Sequence, residues 1–382
     1  MKTILSRLAW AFALLVVLVM VLEFSAREKY SDLKNFPAHI DLRLPPELVI
    51  THEELGYHFK PNSSEFFESP LNEFNVNYQT NEFGLRDSGM FSSGPKQPIV
   101  VVLGGATAEA YGVMREASFT LEMQRRLRFQ KGAKRYPRIL SAGMTGFGAI
   151  QNYLLGKRLI SELKPDLVIF LYSDLMPVAD YRVLRHANLD HQRMVISISP
   201  QLPAPVLSTK GPHWSDQFTL LQIMRNHEQK TAMHESITIG DPNNDLFAAA
   251  RDSGNNNVEL HQESLKYVAA LADYSNAQNV KFALVHLPLP HQIAADEWSE
   301  GRHWHKIEGR TYAVPEKTLT VSLCERADVE CIEVFSKFKE LAANHSGRVF
   351  FKYSYALSEI GHRALVDHLI NPVRTLLGIE KP

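Results

Sequence analysis

Few side chains in this sequence stand at spacings that can do chemistry, and most of them fall where an apolar run gives way to a loop. Asp174 comes two residues after DLVIFLY (166–172). A carboxylate just past a buried strand can act as an acid or base, or can be held by loop amides, and both readings stay open. Thr107 follows Gly104-Gly105-Ala106 at the end of IVVVL (99–103). Its hydroxyl reads as a cap on the helix that begins there, in preference to a nucleophile. Glu109 reads as an exposed carboxylate near that helix start, with a general base as the sharper alternative. Ser358 stands ahead of Gly361-His362; SEIGH reads as an N-cap and helix start, with His362 packing or capping within the helix.

His286 and His291 flank the end of a strand, and His303 and His305 are two apart in sequence. On an extended segment such a pair can share a metal. No third ligand is identifiable, so they read as surface histidines, and neither a metal nor a cofactor is expected. Trp214, Trp298, Trp304 and Tyr312 suit sugar or acyl stacking and lid packing alike. Cys324 and Cys331, the chain's 2 cysteines, enclose ERADVE. They are read either as a bridged loop or as two small buried side chains, and no CxxC spacing points to a metal.

The elements that must position these residues alternate. IVVVL, RILSAG, DLVIFLY, VKFALVHLP (280–288) and CIEV (331–334) are β-branched or apolar runs, and RVFFKY (348–353) is a candidate last strand. Between them lie helical segments: FTLEMQRRLRF, one from about Ile150 to Leu163, others near 258–278 and 315–327, and a closing helix from about Ser358 to Leu377. Strands buried on both faces and alternating with helices predict a doubly wound, three-layer α/β/α sandwich with a parallel sheet. Two stretches break the rhythm, at about 176–257 and 288–312. Both are expected to overhang the carboxyl edge of the sheet, where ligands bind in such folds. Ahead of the main domain (98–382), residues 51–97 read as a small β-rich leader packed on it, and 27–50 as a stalk.

The first 26 residues carry the strongest single signal. Lys2 and Arg7 precede an apolar run from Leu8 to Leu22. Bulky Phe24 sits where a cleavage site ending at Ala26 needs a small residue, so the segment reads as an uncleaved signal anchor. The flanking cations place the globular part outside the cytoplasm. Across 382 residues, 41 Lys and Arg balance 42 Asp and Glu, which gives no basic field for nucleic acid.

Four blocks together resemble the SGNH/GDSL hydrolases. LGGATAEAYGV (103–113) is similar to the block that carries the nucleophilic Ser, SAGMTGFG (141–148) to the block whose later Gly supplies an oxyanion-hole amide, KPDLVIFLYSDL (164–175) to the block ending in Asn-Asp, and YALSEIGHRAL (355–365) to the block with the Asp and His. LGYHFKPN and NEFGLRD resemble the leader of some secreted members. The resemblance implies that Ala106 stands at the nucleophile position and Ala356 at the His position. Tyr353 then stands at the Asp position and Ser173 at the Asn. Gly146, with the Gly105 and Ala106 amides, is what remains of the oxyanion hole.

Without a hydroxyl and a base the family's acyl chemistry has no starting point. The expectation is a non-catalytic pseudo-hydrolase at the outer face of a membrane. It would bind a glycan or a protein partner in the cell envelope or in exopolysaccharide processes. The alternative is an esterase or acetyltransferase on acylated polysaccharide, working through Thr107 or Ser358 or through the histidines. A purely structural subunit role is the third reading.

Overall fold

The computed structural model describes residues 2–29, 42–69, 71–87, 97–128, 136–207, 218–251, 255–313, 321–344 and 347–379. The chain opens with helix α1 (Lys2–Lys29), followed by β1 (Val49–His52), β2 (Gly56–Phe59), β3 (Ser64–Glu68) and β4 (Asn75–Gln79). The main domain begins with β5 (Ile99–Leu103), α2 (Ala106–Glu109), α3 (Phe119–Arg128), β6 (Arg138–Ser141), α4 (Ala149–Leu163) and β7 (Leu167–Tyr172). Next come α5 (Met176–Val183), β8 (Ala187–Leu189), β9 (Val195–Ile198), α6 (Thr219–Ser236), α7 (Asn255–Ala277) and β10 (Lys281–His286). The remainder is α8 (Pro290–Ile293), α9 (Ser299–Trp304), α10 (Val321–Cys324), β11 (Val329–Ile332), α11 (Phe335–Ala343) and α12 (Glu359–Leu377).

Five strands form a wholly parallel sheet in the order β11-β10-β7-β5-β6. Counted along the chain this is the 2-1-3-4-5 order of doubly wound sheets, whose winding reverses at the first strand, β5. Alternation along each strand assigns the faces. Val101, Leu103, Val168, Phe170, Phe282 and Leu284 meet Leu155 and Leu159 of α4 and Val268 and Leu271 of α7. Val100, Val102, Ile169, Ala283 and Val285 meet Phe119 and Met123 of α3, Phe338 of α11 and Leu365 and Leu369 of α12. Buried runs with no polar face, as in LVIFLY, follow from helices covering both sides.

The leader folds as two antiparallel hairpins, β1–β2 and β3–β4, whose Tyr57, Phe59, Phe67 and Tyr78 belong to the same core as α4 and α7. Part of the segment read as a stalk lies in that core too. Leu42, Leu44 and Leu48 are buried, and Leu44 exchanges backbone hydrogen bonds with Pro205 and Leu207.

RVFFKY is not a strand. Phe350 makes a single antiparallel bridge to Leu357, and carboxylates satisfy the neighbouring amides instead of a ladder. Glu297 accepts from Phe350 N (3.1 Å), and Glu73 accepts from Tyr353 N (2.7 Å) and Ser354 N (3.1 Å). Of the helix expected near 315–327, residues 314–320 lie outside the described residues and α10 is one turn. Trp214 lies outside them as well. α1 is long and apolar enough to cross a membrane by length and composition.

Candidate functional site

The site is built where β5 and β7 end. After Leu103 the chain turns through Gly104, whose N–H donates to Asn152 Oδ1 (2.8 Å), and α2 begins at Ala106. The cap position is Gly105, and no side chain caps α2. Thr107 therefore does not play the capping role expected of it; it lines the cleft described below. Ala110 closes the short helix in the left-handed region. The leader fixes this turn. Arg86 donates to the carbonyls of Glu109 (3.0 Å), Ala110 and Val113 (2.6 Å), with its guanidinium 3.8 Å from the Tyr78 ring centre.

Glu109, expected to be exposed, is fully buried. It accepts from Tyr78 Oη (2.8 Å) and from the Thr145 amide (2.5 Å). Burial pushes its carboxyl up to about 6, against the pull of the Thr145 amide and of Arg86. The residue joins three segments and does not line the cleft. Sequence could not show this, because Tyr78 and Arg86 come from a separate hairpin.

The second loop rests on a different carboxylate. Asp180 of α5, fully buried, accepts from the first amides of α4, Ala149 N (3.0 Å) and Ile150 N (2.9 Å), and from Ser264 Oγ. It caps a helix to which it does not belong. Burial pushes it up to about 7, although all three donors favour the charged form. Gly148 is required by this arrangement: a Cβ there would lie 2.1 Å from Asp180 Oδ1. Gly146 has φ +85°, and a Cβ on it would meet Tyr57 Oη at 2.6 Å.

These supports enclose a cleft of about 100 Å³, room for roughly three waters. It brings together Gly105, Ala106, Thr107, Gly146, Ser173 and Ala356, and it is the switch-point crevice expected of the strand order. Leu246 from one inserted stretch, and Pro288 and Leu289 from the other, overhang it. The rest of the wall is apolar. Among the described residues its hydroxyls are those of Thr107, Ser173 and Tyr355, and no carboxylate or imidazole lines it.

Other candidates lie elsewhere. Tyr353 packs with Leu71 and Trp304, and its carbonyl accepts from Trp298 Nε1 (2.7 Å). Asp174 is fully buried and is held by side chains, accepting from Gln292 Nε2 (2.5 Å) and lying 2.9 Å from His286 Nε2. Ser358 Oγ caps α12, accepting from Gly361 N (3.4 Å) and donating to Arg348 O (2.6 Å). His362 stacks on Phe119 at 5.7 Å, and burial pushes it down to about 3. His291 is likewise buried and pushed down to about 3.

His303 and His305 do not share a ligand geometry. They fall at the end of α9, where helical spacing turns residues two apart to opposite sides. His305 stacks on Trp298, while His303 approaches His234 at 5.6 Å. Among the described residues no three His, Cys, Asp or Glu side chains gather as a metal site. Trp298, Ile307 and Tyr312 form a small core with Phe247 and Leu289, so these aromatics pack the lid. Cys324 and Cys331 are joined by a disulfide, with Cα atoms 5.5 Å apart.

One feature of the site left no mark on the sequence pattern. A groove of about 430 Å³ shares Leu42, Gly146, Ala179, Leu246 and Tyr355 with the cleft and adds Arg43, Arg182, Arg185 and His186. No Asp or Glu lines it, and among the described residues none of the three arginines forms an ion pair. Arg182 and Arg185 lie at the end of α5 and Arg43 lies 139 positions or more away, so only folding gathers them.

No family model matches the chain, and no curated protein does. Solved structures with a similar arrangement include TesA (TM-score 0.37, 11% identity, covering 73% of this chain and 99% of that one). Another is the psychrotrophic esterase EstA from Pseudoalteromonas sp., inhibited by monoethylphosphonate (0.36, 9%, 74% and 100%). A third is a catalytic mutant of Axe2, an acetylxylan esterase from Geobacillus stearothermophilus (0.37, 10%, 74% and 95%). At TM-scores of 0.37 or below and identities of 11% or less, these likenesses carry no conclusion about this chain.

Proposed function

We propose that this chain is an SGNH-hydrolase-like protein, tethered by α1 to the outer face of a membrane, whose site binds an anionic glycan and does not hydrolyse it. One observation carries the reading. The cleft and the groove share five lining residues; among the described residues the cleft offers no carboxylate or imidazole, and the groove gathers three arginines and a histidine. An acyl-transfer nucleophile needs a base within about 3 Å, and the Thr107 hydroxyl has no carboxylate or imidazole beside it in the lining. Planar guanidinium groups suit carboxylate or phosphate substituents, which they can grip with two hydrogen bonds at once. The groove's volume falls in the range of ligand sites. The four sequence blocks support the hydrolase ancestry, and the apolar run of α1 supports the tether.

Two measurements on the full chain in detergent test this. Intact mass after a fluorophosphonate probe is expected to show no adduct; a stoichiometric adduct on Thr107 would make the protein an esterase or acyltransferase. Titration with polygalacturonate is expected to show salt-sensitive binding that neutral dextran lacks. The pair Arg182→Ala and Arg185→Ala should weaken it at least tenfold. Equal binding of both polymers, or of wild type and variant, refutes the glycan reading and leaves a protein partner.

A further inference from the structure

From Ile4 to Leu22 every residue of α1 is exposed, and cover begins only at Glu23, which is partly buried, and Ala26, which is buried. What covers them is the start of α6. The Glu23 carboxylate accepts from Thr219 N (2.6 Å) and Leu220 N (2.9 Å), so a helix from the middle of the chain is capped by a side chain of the N-terminal helix. On the first turns of α6 and the residue before it, Phe218, Leu221 and Met224 are 46%, 36% and 63% exposed, while Thr219 and Gln222 are buried. Steps of three residues drift only about 60° each, so the three apolar side chains form one stripe about 120° wide. At its other end α6 docks on the domain. Met233 packs against the cluster of Leu71, Trp304 and Tyr353, and the His234 ring lies 6.3 Å from that of Trp304.

We propose that the stripe Phe218, Leu221 and Met224 is a lipid-contacting face seated at the boundary between headgroups and acyl chains, beside the outer end of α1. The proposal rests on the reading of α1 as a membrane span. A carboxylate is strongly disfavoured inside the hydrocarbon, so Glu23 marks where the span ends. The hydrogen bonds from Thr219 and Leu220 then fix the first turn of α6 at that same depth. An exposed Phe, Leu and Met at that level meet lipid, as on interfacial amphipathic helices. A lipid surface is the occupant because Glu23, which caps α6, also closes the exposed apolar run of α1, so the cap brings the two together.

The test uses the full chain in phosphatidylcholine nanodiscs, with one added cysteine carrying a fluorophore. Cys324 and Cys331 are bonded to each other and do not compete for label. Labels go on Leu221→Cys, Met224→Cys, Leu15→Cys within the apolar run, and Met114→Cys, an exposed apolar position in the turn after α2. Nanodiscs are made with shallow or deep spin-labelled lipid. The expected result is at least twofold quenching of the 221 and 224 labels by the shallow lipid, quenching of the 15 label by the deep lipid, and none at 114. If the 15 label is quenched and the 221 and 224 labels are not, α1 spans the membrane and the lipid-contact proposal is wrong. If the 15 label is not quenched, the span fails and takes the proposal with it. Equal quenching at 114 and 224 shows non-specific partitioning and also overturns it.

Discussion

Replacing Asp180 by asparagine separates the cap on α4 from the charge that makes it. In the folded chain burial holds the carboxyl at about 7, against 3.8 for an unperturbed aspartate. Between those values the folded state keeps a proton that the unfolded state has lost. Stability therefore falls as pH rises through this window, by about 1.4 kcal/mol per pH unit, and levels off above about 7. From pH 5 to pH 8 the wild type is expected to lose about 3 kcal/mol from this group. Asparagine does not titrate. It keeps one carbonyl acceptor for Ala149 N or Ile150 N, as the protonated aspartate does at pH 5, so at that pH the exchange costs no more than about 1 kcal/mol. Asp180→Asn should therefore be less stable than wild type by no more than about 1 kcal/mol at pH 5, and more stable than it by about 2 kcal/mol at pH 8. Urea unfolding of the detergent-solubilised chain, followed by far-ultraviolet circular dichroism at the two pH values, measures the difference. Glu109 titrates in the same direction but is common to both proteins and cancels. A difference between variant and wild type that stays constant from pH 5 to pH 8 would refute the reasoning.

Two further expectations concern residues outside the cleft. Ser358→Ala removes the α12 cap and should cost about 1 kcal/mol in urea unfolding without changing polygalacturonate affinity; a loss of binding with stability intact would give Ser358 a functional role instead. Cys324→Ser opens a bridge whose ends are seven residues apart, and chain entropy puts the loss at about 2–3 kcal/mol. Dithiothreitol should produce the same loss in wild type and none in the variant.

The sheet was legible because its strands are written as β-branched runs, and alternation within IVVVL and LVIFLY then fixed which side chains face which helices. RVFFKY, apolar at its centre but flanked by Arg348 and Lys352, is not a strand; Glu297 and Glu73, distant in sequence, accept from its Phe350 and Tyr353 amides. The cleft was legible as a set of motif positions, and Ala106, Gly146, Ser173 and Ala356 do line one wall. Tyr353 does not, since motif spacing says nothing about where a loop without regular structure turns. Glu109 and Asp180 were misread or unnoticed for a common reason. Each is a carboxylate whose role is set by amides and hydroxyls far away in the chain. The arginine groove was invisible because Arg43 sits in what reads as a stalk and Arg182 and Arg185 sit at the start of an insertion.

The clamp of Arg86 on the turn after α2 bears on what the cleft tolerates. The frame around position 106 is held by Arg86, Glu109, Asn152 and Asp180, none of which lines the cleft. Its shape therefore does not depend on the side chains at positions 106 and 356. The cleft keeps its form with alanine at 106 and 356, and substitutions along its wall can change what it holds without unseating the frame.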